Sequence, residues 1–380
     1  MKKIVHIIDT LCVGGRENSV IDICNHLDKK KYKVFIITLT NDLNELSYKI
    51  NSDVTLYSLP IKHHELVGVN AVFFFFKAIK NLSNVLDSIC PNIVHTHSYL
   101  HRLLIENLAI KRIKNDFKSF HTVHTSGMYY KSDKYFDKLK FLFEKFTIGL
   151  VNPFLVGISE VVQSNNIQLY RYQSKTSRYI PNGVDLEIYH KEIYDAKKTD
   201  FGCNENDIII TYVARFCDGK NHETLLKAIK IVVNKYPSAK LILAGDGERR
   251  GFIEDFLDKN KLQQNVILLG AIKNVAELLS VSSFCVFPSE FEGFSLTLIE
   301  KMAMGLPVVA ADNDSFKSLI IHKENGLLFS MFDEVALADN IFELIENKEF
   351  YEKIATNSLS FSKQFSLNKI VALYEDYYQN

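Results

Sequence analysis

The chain has 380 residues, close to half of them hydrophobic, with 45 Lys+Arg matched by 45 Asp+Glu. That composition excludes disordered, fibrous and collagen-like chains, and the length suggests two to three domains with large cores. The even charge conceals an asymmetry: residues 1–185 carry 24 Lys+Arg against 16 Asp+Glu, a net of +8 that the remainder offsets with −8. Such polarity suits either an anionic partner for the first half, a membrane surface for instance, or a solvated basic face. Six scattered cysteines (Cys12, Cys24, Cys90, Cys203, Cys217, Cys285) form no C-x-x-C and no metal spacing with histidine. They predict free thiols in a reducing compartment.

The pattern opens on Met1-Lys2-Lys3 and Ile4–Ile8, an apolar run broken at Asp9 and too short for a signal h-region, so it predicts a first strand. A loop from Asp9 to Glu17 then carries Gly14-Gly15, whose bare backbone allows close approach of a ligand or simply a tight turn. It is neither G-x-G-x-x-G nor a P-loop. Further strands are predicted at Val34–Leu39, Val54–Leu56, Ile93–His95, Phe120–Val123 and Leu155–Gly157. A helical pattern from Val69 to Leu86 holds Phe73 to Phe76, a run more typical of a core. Another, Met128 to Leu150, interleaves Tyr129, Tyr130, Tyr135, Phe136, Phe141, Phe143 and Phe146 with Lys131, Lys134, Lys138, Lys140 and Lys145. That mixture suits an interfacial helix on anionic lipid, or a helix with its aromatic face in the core and its lysines in water.

Between Asn182 and Asn206 the pattern lapses into polar sequence, placing a hinge near Val184 to Asp200. Strands resume at Ile208–Val213, Leu241–Ala244, Val266–Leu268, Cys285–Phe287 and Val308–Ala310, with helices between most of them and a last helix at about Asn368 to Tyr378. Alternation of short β-branched runs with amphipathic segments is the signature of parallel α/β sheets. No stretch approaches the ~20 apolar residues that span a bilayer.

Two strand-to-helix loops in the second half carry chemistry. Arg215 ends the Ile208–Val213 strand and Lys220 follows five residues later, before an amphipathic helix from Glu223 to Val233. A planar fork and a point charge at a strand's carboxyl end are well placed to hold a diphosphate. After Cys285–Phe287 comes Pro288-Ser289-Glu290-Phe291-Glu292-Gly293-Phe294-Ser295-Leu296, with Glu300 about two turns into a helix predicted to begin near Phe294. Helix N–H groups flanked by Glu292 and Glu300 would suit a sugar nucleotide, phosphate on amides and hydroxyls on carboxylates. The alternative is surface glutamates on an ordinary βαβ helix.

Arg215…Lys220, Ala244-Gly245-Asp246-Gly247-Glu248, Glu292-Gly293-Phe294-Ser295-Leu296…Glu300 and Gly305-Leu306-Pro307-Val308-Val309-Ala310 together resemble the donor half of a family 4 retaining glycosyltransferase (glycosyl transferases group 1) with the GT-B fold. Gly14-Gly15-Arg16-Glu17, His95-Thr96-His97, Thr122-Val123-His124 and Pro181-Asn182-Gly183-Val184-Asp185 extend the resemblance over essentially the whole chain. It implies an α/β architecture of two Rossmann-like domains facing each other across a cleft. The acceptor-side domain would span 1–185, the nucleotide-sugar domain 186–363, and a helix in 364–380 would cross back to the first domain.

By the same resemblance, Arg215 and Lys220 would bind the donor diphosphate and stabilise leaving charge, Glu300 would accept from ribose hydroxyls, and Glu292 would contact the transferred sugar. The amides of Phe294, Ser295 and Leu296, after Gly293, would cap the distal phosphate. The base would rest near Gly270-Ala271-Ile272-Lys273, with Gly14 and Gly15 near the phosphates or the acceptor and His124 reaching the sugar. A core, hydrogen-bonded role is the alternative for His124 and for His97. Asp312-Asn313-Asp314 spells a D-x-D but reads as a solvated turn, so neither metal nor other cofactor is expected. Ser295 and Lys301 replace a commoner Gly and Ala, and Asn313-Asp314-Ser315-Phe316 lacks the usual glycine pair.

The implied reaction moves a hexose or N-acetylhexosamine from a nucleotide sugar, UDP-linked by expectation, to a lipid-linked or saccharide acceptor in surface polysaccharide synthesis, with retention of configuration. The expected place is the cytoplasm or the inner face of its membrane, with no nucleic-acid partner. A nucleotide-sugar 2-epimerase on the same frame and a non-catalytic nucleotide-sugar-binding partner are the competing readings.

Overall fold

The computed structural model describes residues 1–67, 70–124, 135–170, 176–292 and 294–379. The chain forms two compact units, one of Met1–Gly183 with Leu367–Asn380, the other of Val184–Ser366.

In the first unit seven parallel strands, β1 (Lys2–Ile8), β2 (Tyr32–Thr38), β3 (Val54–Ser58), β4 (Ile93–Thr96), β5 (Lys118–Val123), β6 (Phe154–Gly157) and β7 (Ser177–Tyr179), lie in the order β3-β2-β1-β4-β5-β6-β7. The helices are α1 (Gly15–His26), α2 (Ala71–Ile89), α3 (Leu100–Ile110), α4 (Tyr135–Gly149) and α5 (Glu160–Tyr170). Strands buried on both faces read as continuous apolar runs, which is why β1 and β2 were legible from sequence. From β1 the chain first adds strands on one side (β2, β3) and then on the other (β4 to β7), so a switch point lies between the carboxyl ends of β1 and β4.

The second unit repeats this plan. Its elements are β8 (Ile208–Val213), α6 (His222–Lys235), β9 (Ala239–Ala244), α7 (Arg250–Asn260), β10 (Val266–Gly270), α8 (Val275–Val281), β11 (Phe284–Phe287), α9 (Leu296–Ala303), β12 (Val308–Ala311), α10 (Asp314–Lys317), β13 (Leu327–Phe329), α11 (Glu334–Glu346) and α12 (Lys348–Ser362). The sheet is parallel in the order β10-β9-β8-β11-β12-β13, with its switch point between β8 and β11. On α6, Leu225, Leu226, Ile229 and Val232 are fully buried against Leu241, Val286 and Val309. The last helix, α13 (Leu367–Gln379), belongs to the first unit. Its Leu367, Ile370, Val371, Tyr374, Tyr377 and Tyr378 pack with Phe120 and Val156 of the first sheet.

Several local expectations are corrected. Strands β7 and β13 have three residues each, too few to display a period, and were missed. Gly15, Arg16 and Glu17 are not loop residues but the first turn of α1, with Gly14 as its N-cap. Helix α9 begins at Leu296, capped at Ser295, so Glu300 stands about one turn in, not two. In the Phe run, Phe74 and Phe75 pack against a core, but Phe73 is 66% and Phe76 is 61% exposed, because four consecutive residues sweep round a helix. All six cysteines are free. Among the described residues, no helix is long and apolar enough to cross a membrane.

Candidate functional site

The second sheet's switch point gathers the charged residues. After β8 the backbone passes Arg215 to Gly219, which adopts φ +81°, then Lys220 and Asn221; after β11 it runs through Ser289 to Glu292. Two connections lock these loops together. The Glu290 amide donates to the Gly219 carbonyl at 2.9 Å. The buried Tyr212 hydroxyl, at the end of β8, donates to the Lys220 carbonyl at 3.0 Å and lies 3.0 Å from Ser289 Oγ. Lys220 Nζ consequently meets Glu292 Oε1 at 2.6 Å, an ion pair across 72 residues of sequence.

The D-x-D segment is part of this construction and not a merely solvated turn. Asn313 caps α10 through Oδ1, which accepts from the Phe316 amide at 3.0 Å, while its Nδ2 donates to the Ser289 carbonyl at 2.9 Å. The Ser315 hydroxyl donates to the carbonyl of Glu292 itself. Asp312 is occupied by Lys317 at 2.8 Å. Asn313 and Ser315 therefore hold the Glu292 loop from its second side.

Arg215 is not drawn into that pair. Its side chain is 73% exposed, with Glu248 Oε2 at 3.4 Å, so it remains available to a ligand at little cost in broken contacts. Glu300 lies beside Lys301 (Oε2 to Nζ, 3.3 Å), and Lys301 is 1% exposed. The Leu296 amide already donates to the Phe294 carbonyl at 2.9 Å, which removes it from the predicted phosphate cap. The amides of Phe294 and Ser295 precede it at the start of α9, and Gly293 lies outside the described residues. Gly270 closes β10 at φ +71°, its carbonyl accepting from the Gly245 amide at 2.8 Å; Ile272 is partly buried beyond it. Sequence reasoning missed Tyr212, Ser289 and Gly219, whose roles depend on pairings between distant loops. The only local signal was a Tyr in a strand otherwise aliphatic but for Thr211.

At the first sheet's switch point, Gly14 leaves room for a charge cluster. A Cβ there would stand 2.2 Å from Glu17 Oε2. Arg16 Nη2 reaches Asp9 Oδ1 and Glu17 Oε1, each at 2.5 Å. Gly14 thus has a packing role at the start of α1, since a side chain there would displace the Glu17 carboxylate. Beside it lies a histidine cluster. His6 and His95 are paired residues on β1 and β4, and His97 and His124 follow β4 and β5. His6 Nδ1 is 3.0 Å from His97 Nε2, and His97 Nδ1 is 3.1 Å from His124 Nε2. Burial lowers the pKa of His6 to about 3 and holds His97 and His124 well below the usual imidazole range, so all three are neutral at pH 7.

His6, His95 and His97 have ligand atoms within 4.8 Å of one another and are the one group among the described residues that could close round a metal ion. The fit is poor. His95 Nδ1 is 2.6 Å from the Tyr378 hydroxyl and its Nε2 2.7 Å from Thr122 Oγ1, while His6 and His97 engage each other. A metal would have to break hydrogen bonds already made between buried groups.

Comparison with known proteins connects this geometry to a family. Residues 13–188 match the family described as Glycosyltransferase Family 4, and residues 194–360 match Glycosyl transferases group 1. The chain is 29% identical over 206 residues to N-acetyl-alpha-D-glucosaminyl L-malate synthase of Bacillus anthracis, a match spanning 54% of each chain. It is 22% identical over 373 residues to alpha-monoglucosyldiacylglycerol synthase of Acholeplasma laidlawii, covering 93% of this chain and 90% of that one. Among solved structures, Anabaena HepE in complex with UDP and glucose superposes with a TM-score of 0.76 at 18% identity, covering 99% of both chains. The two parallel-sheet units therefore constitute a GT-B fold.

Proposed function

The chain belongs to the glycosyl transferases group 1 family, and from that membership and the second sheet's geometry we propose that it moves a hexose or N-acetylhexosamine from a nucleotide sugar, UDP-linked, to a lipid-linked or saccharide acceptor in surface polysaccharide synthesis. The Lys220–Glu292 pair at the β8/β11 switch point carries this reading. Lys220 and Arg215 supply the positive charge that the departing diphosphate needs, and electrostatic stabilisation of that kind is the largest contribution such a site can make. Glu292 anchors the Lys220 ammonium at 2.6 Å and accepts from a sugar hydroxyl when a donor binds. Glu300 receives the ribose hydroxyls, Gly270 and Ile272 flank the base, and the Phe294 and Ser295 amides meet the distal phosphate. Transfer with retention and without a metal is part of the same proposal; of the two D-x-D carboxylates, Asp312 is already paired with Lys317.

UDP as the carrier is supported by the UDP-bound Anabaena neighbour, and a lipid acceptor by the relative named for diacylglycerol. Thermal unfolding against a panel of nucleotides and nucleotide sugars tests the donor reading. One series should raise stability by about 2.7 kcal/mol at 100 times its dissociation constant. Turnover of that donor should persist in EDTA. No stabilisation by any nucleotide sugar would sink the reading, and activity restored only by a divalent ion would sink its metal-free part.

Membrane contact is proposed through α4. Phe136, Leu139, Leu142, Phe143 and Phe146 are 76%, 43%, 59%, 37% and 62% exposed, an apolar face flanked by Lys138, Lys140 and Lys145. Tyr129, Tyr130, Lys131 and Lys134, grouped with them in sequence, lie outside the described residues. Near an anionic surface each lysine contributes about 1 kcal/mol, so K138E with K140E should weaken binding to phosphatidylserine vesicles by at least ~30-fold. Unchanged vesicle binding would remove the membrane from the proposal.

A further inference from the structure

The three histidines at the first sheet's switch point form a continuous chain whose inner end is sealed. His6 is 0% and His97 1% exposed, and their rings stack with centroids 5.2 Å apart and planes within 10°. His124, at the carboxyl end of β5, is partly exposed. The N···N contacts of 3.0 Å and 3.1 Å use both nitrogens of His97, Nδ1 of His6 and Nε2 of His124. His6 Nε2 is buried without any partner.

A neutral imidazole has one N–H and one lone pair. His97 must therefore donate to one neighbour and accept from the other, so the two hydrogen bonds run in the same direction. Only two arrangements satisfy this. If the chain runs inward, His124 Nε2–H donates to His97, His97 donates to His6, and His6 Nε2 carries an orphaned N–H in the core. If it runs outward, His6 Nδ1–H donates to His97 Nε2, His97 Nδ1–H donates to His124 Nε2, and the orphan at His6 is a lone pair. Among backbone groups, buried orphan N–H groups are rarer than under-satisfied carbonyls, and carrying that preference over to the imidazole favours the outward direction. It leaves His124 with its proton on Nδ1, at the end of the chain farthest from the core.

We propose that His6 and His97 are positioning residues that fix His124 as the Nδ1–H tautomer, making it a neutral hydrogen-bond donor to a saccharide oxygen and not a base. The proposal deepens the transferase reading, and its substrate half rests on that reading. It also gives the polar His6 a task inside the otherwise apolar run Ile4–Ile8. Donation from a fixed tautomer needs no reorientation as charge shifts on the sugar, the advantage that preorganised dipoles have over mobile ones.

The test reads tautomers directly, by two-bond proton–nitrogen correlation spectra of the histidine side chains at pH 7. The wild type should show His6, His97 and His124 all protonated on Nδ1. His97→Phe should convert His124 to a mixture of tautomers, and His6→Phe, at the other end, should do the same should the first variant not fold. Donor turnover by a folded variant should fall about threefold to tenfold in kcat with KM for the donor unchanged, the size expected for loss of one neutral hydrogen bond. His124 protonated on Nε2 in the wild type would overturn the assignment. So would a His124 that stays wholly Nδ1–H in a variant lacking the chain. Lys220-dependent stabilisation by nucleotide is measured on the same samples. Its absence would defeat the transferase reading while leaving the tautomer result to stand or fall alone.

Discussion

Lys220→Ala is expected to lower kcat/KM for the sugar nucleotide by about 10²–10³-fold, the usual consequence of deleting one preorganised electrostatic contact to developing charge. It should also abolish the thermal shift that nucleotide confers. The folded state should hardly notice. Lys220 and Glu292 are 26% and 20% exposed and connect two loops that Tyr212, Glu290, Asn313 and Ser315 hold independently, so the unliganded unfolding midpoint should move by no more than ~1 kcal/mol in equivalent stability. Steady-state kinetics beside unliganded melting separates the two effects. A variant that retains turnover, or that loses it only by unfolding, would take Lys220 out of the donor site.

Gly245→Ala should have the largest effect on stability. Gly245 follows β9 at φ +151°, in the region that L-residues rarely occupy, and a Cβ there would lie 1.9 Å from the Ala214 carbonyl oxygen. Neither atom can retreat easily. Ala214 N–H donates to the Ala244 carbonyl at 3.1 Å and Gly245 N–H to the Gly270 carbonyl at 2.8 Å, so backbone is pressed against backbone at the carboxyl ends of β8, β9 and β10. Strain and overpacking together should cost roughly 2–5 kcal/mol. Because Arg215, the proposed phosphate ligand, is next to Ala214, any accommodation also moves it, and nucleotide stabilisation should weaken in parallel. Gly251→Ala, inside α7 where a Cβ meets nothing within 4 Å, is the matched control and should be neutral or stabilising by up to ~1 kcal/mol. Equal melting of the two variants would show that the Gly245 contact relaxes without cost.

Legibility followed the range of the interactions involved. Long β-branched runs such as Ile208–Val213 and Val34–Thr38 announced themselves because both faces of a parallel strand are buried. The edge strands β7 and β13 did not, since three residues carry no period. Helix starts were off by two residues at α9 and by the length of a turn at α1, where no side-chain cap marks the beginning. Arg215, Lys220, Glu292 and Glu300 were picked out by their position at strand ends and by the family resemblance. Their pairing was not foreseen. Expected as separate ligands for phosphate and sugar, Lys220 and Glu292 prove to be each other's partners, and Arg215 stands apart beside Glu248.

By itself the sequence determined the class of fold, two parallel α/β sheets, and the loops at which charge collects, because burial periodicity and strand-end placement are local properties. Tertiary structure alone decided how those loops are fastened. The Tyr212 hydroxyl joins Lys220 to Ser289, Asn313 and Ser315 brace the Glu292 loop, and His6 reaches His124 through His97. Apart from Tyr212 and Lys220, which lie on β8 and the loop that follows it, each of these contacts links residues 23 to 91 positions apart that become neighbours only when strand order places their ends side by side. A hydrogen bond of ~3 Å depends on that placement, and no residue's type or spacing encodes it.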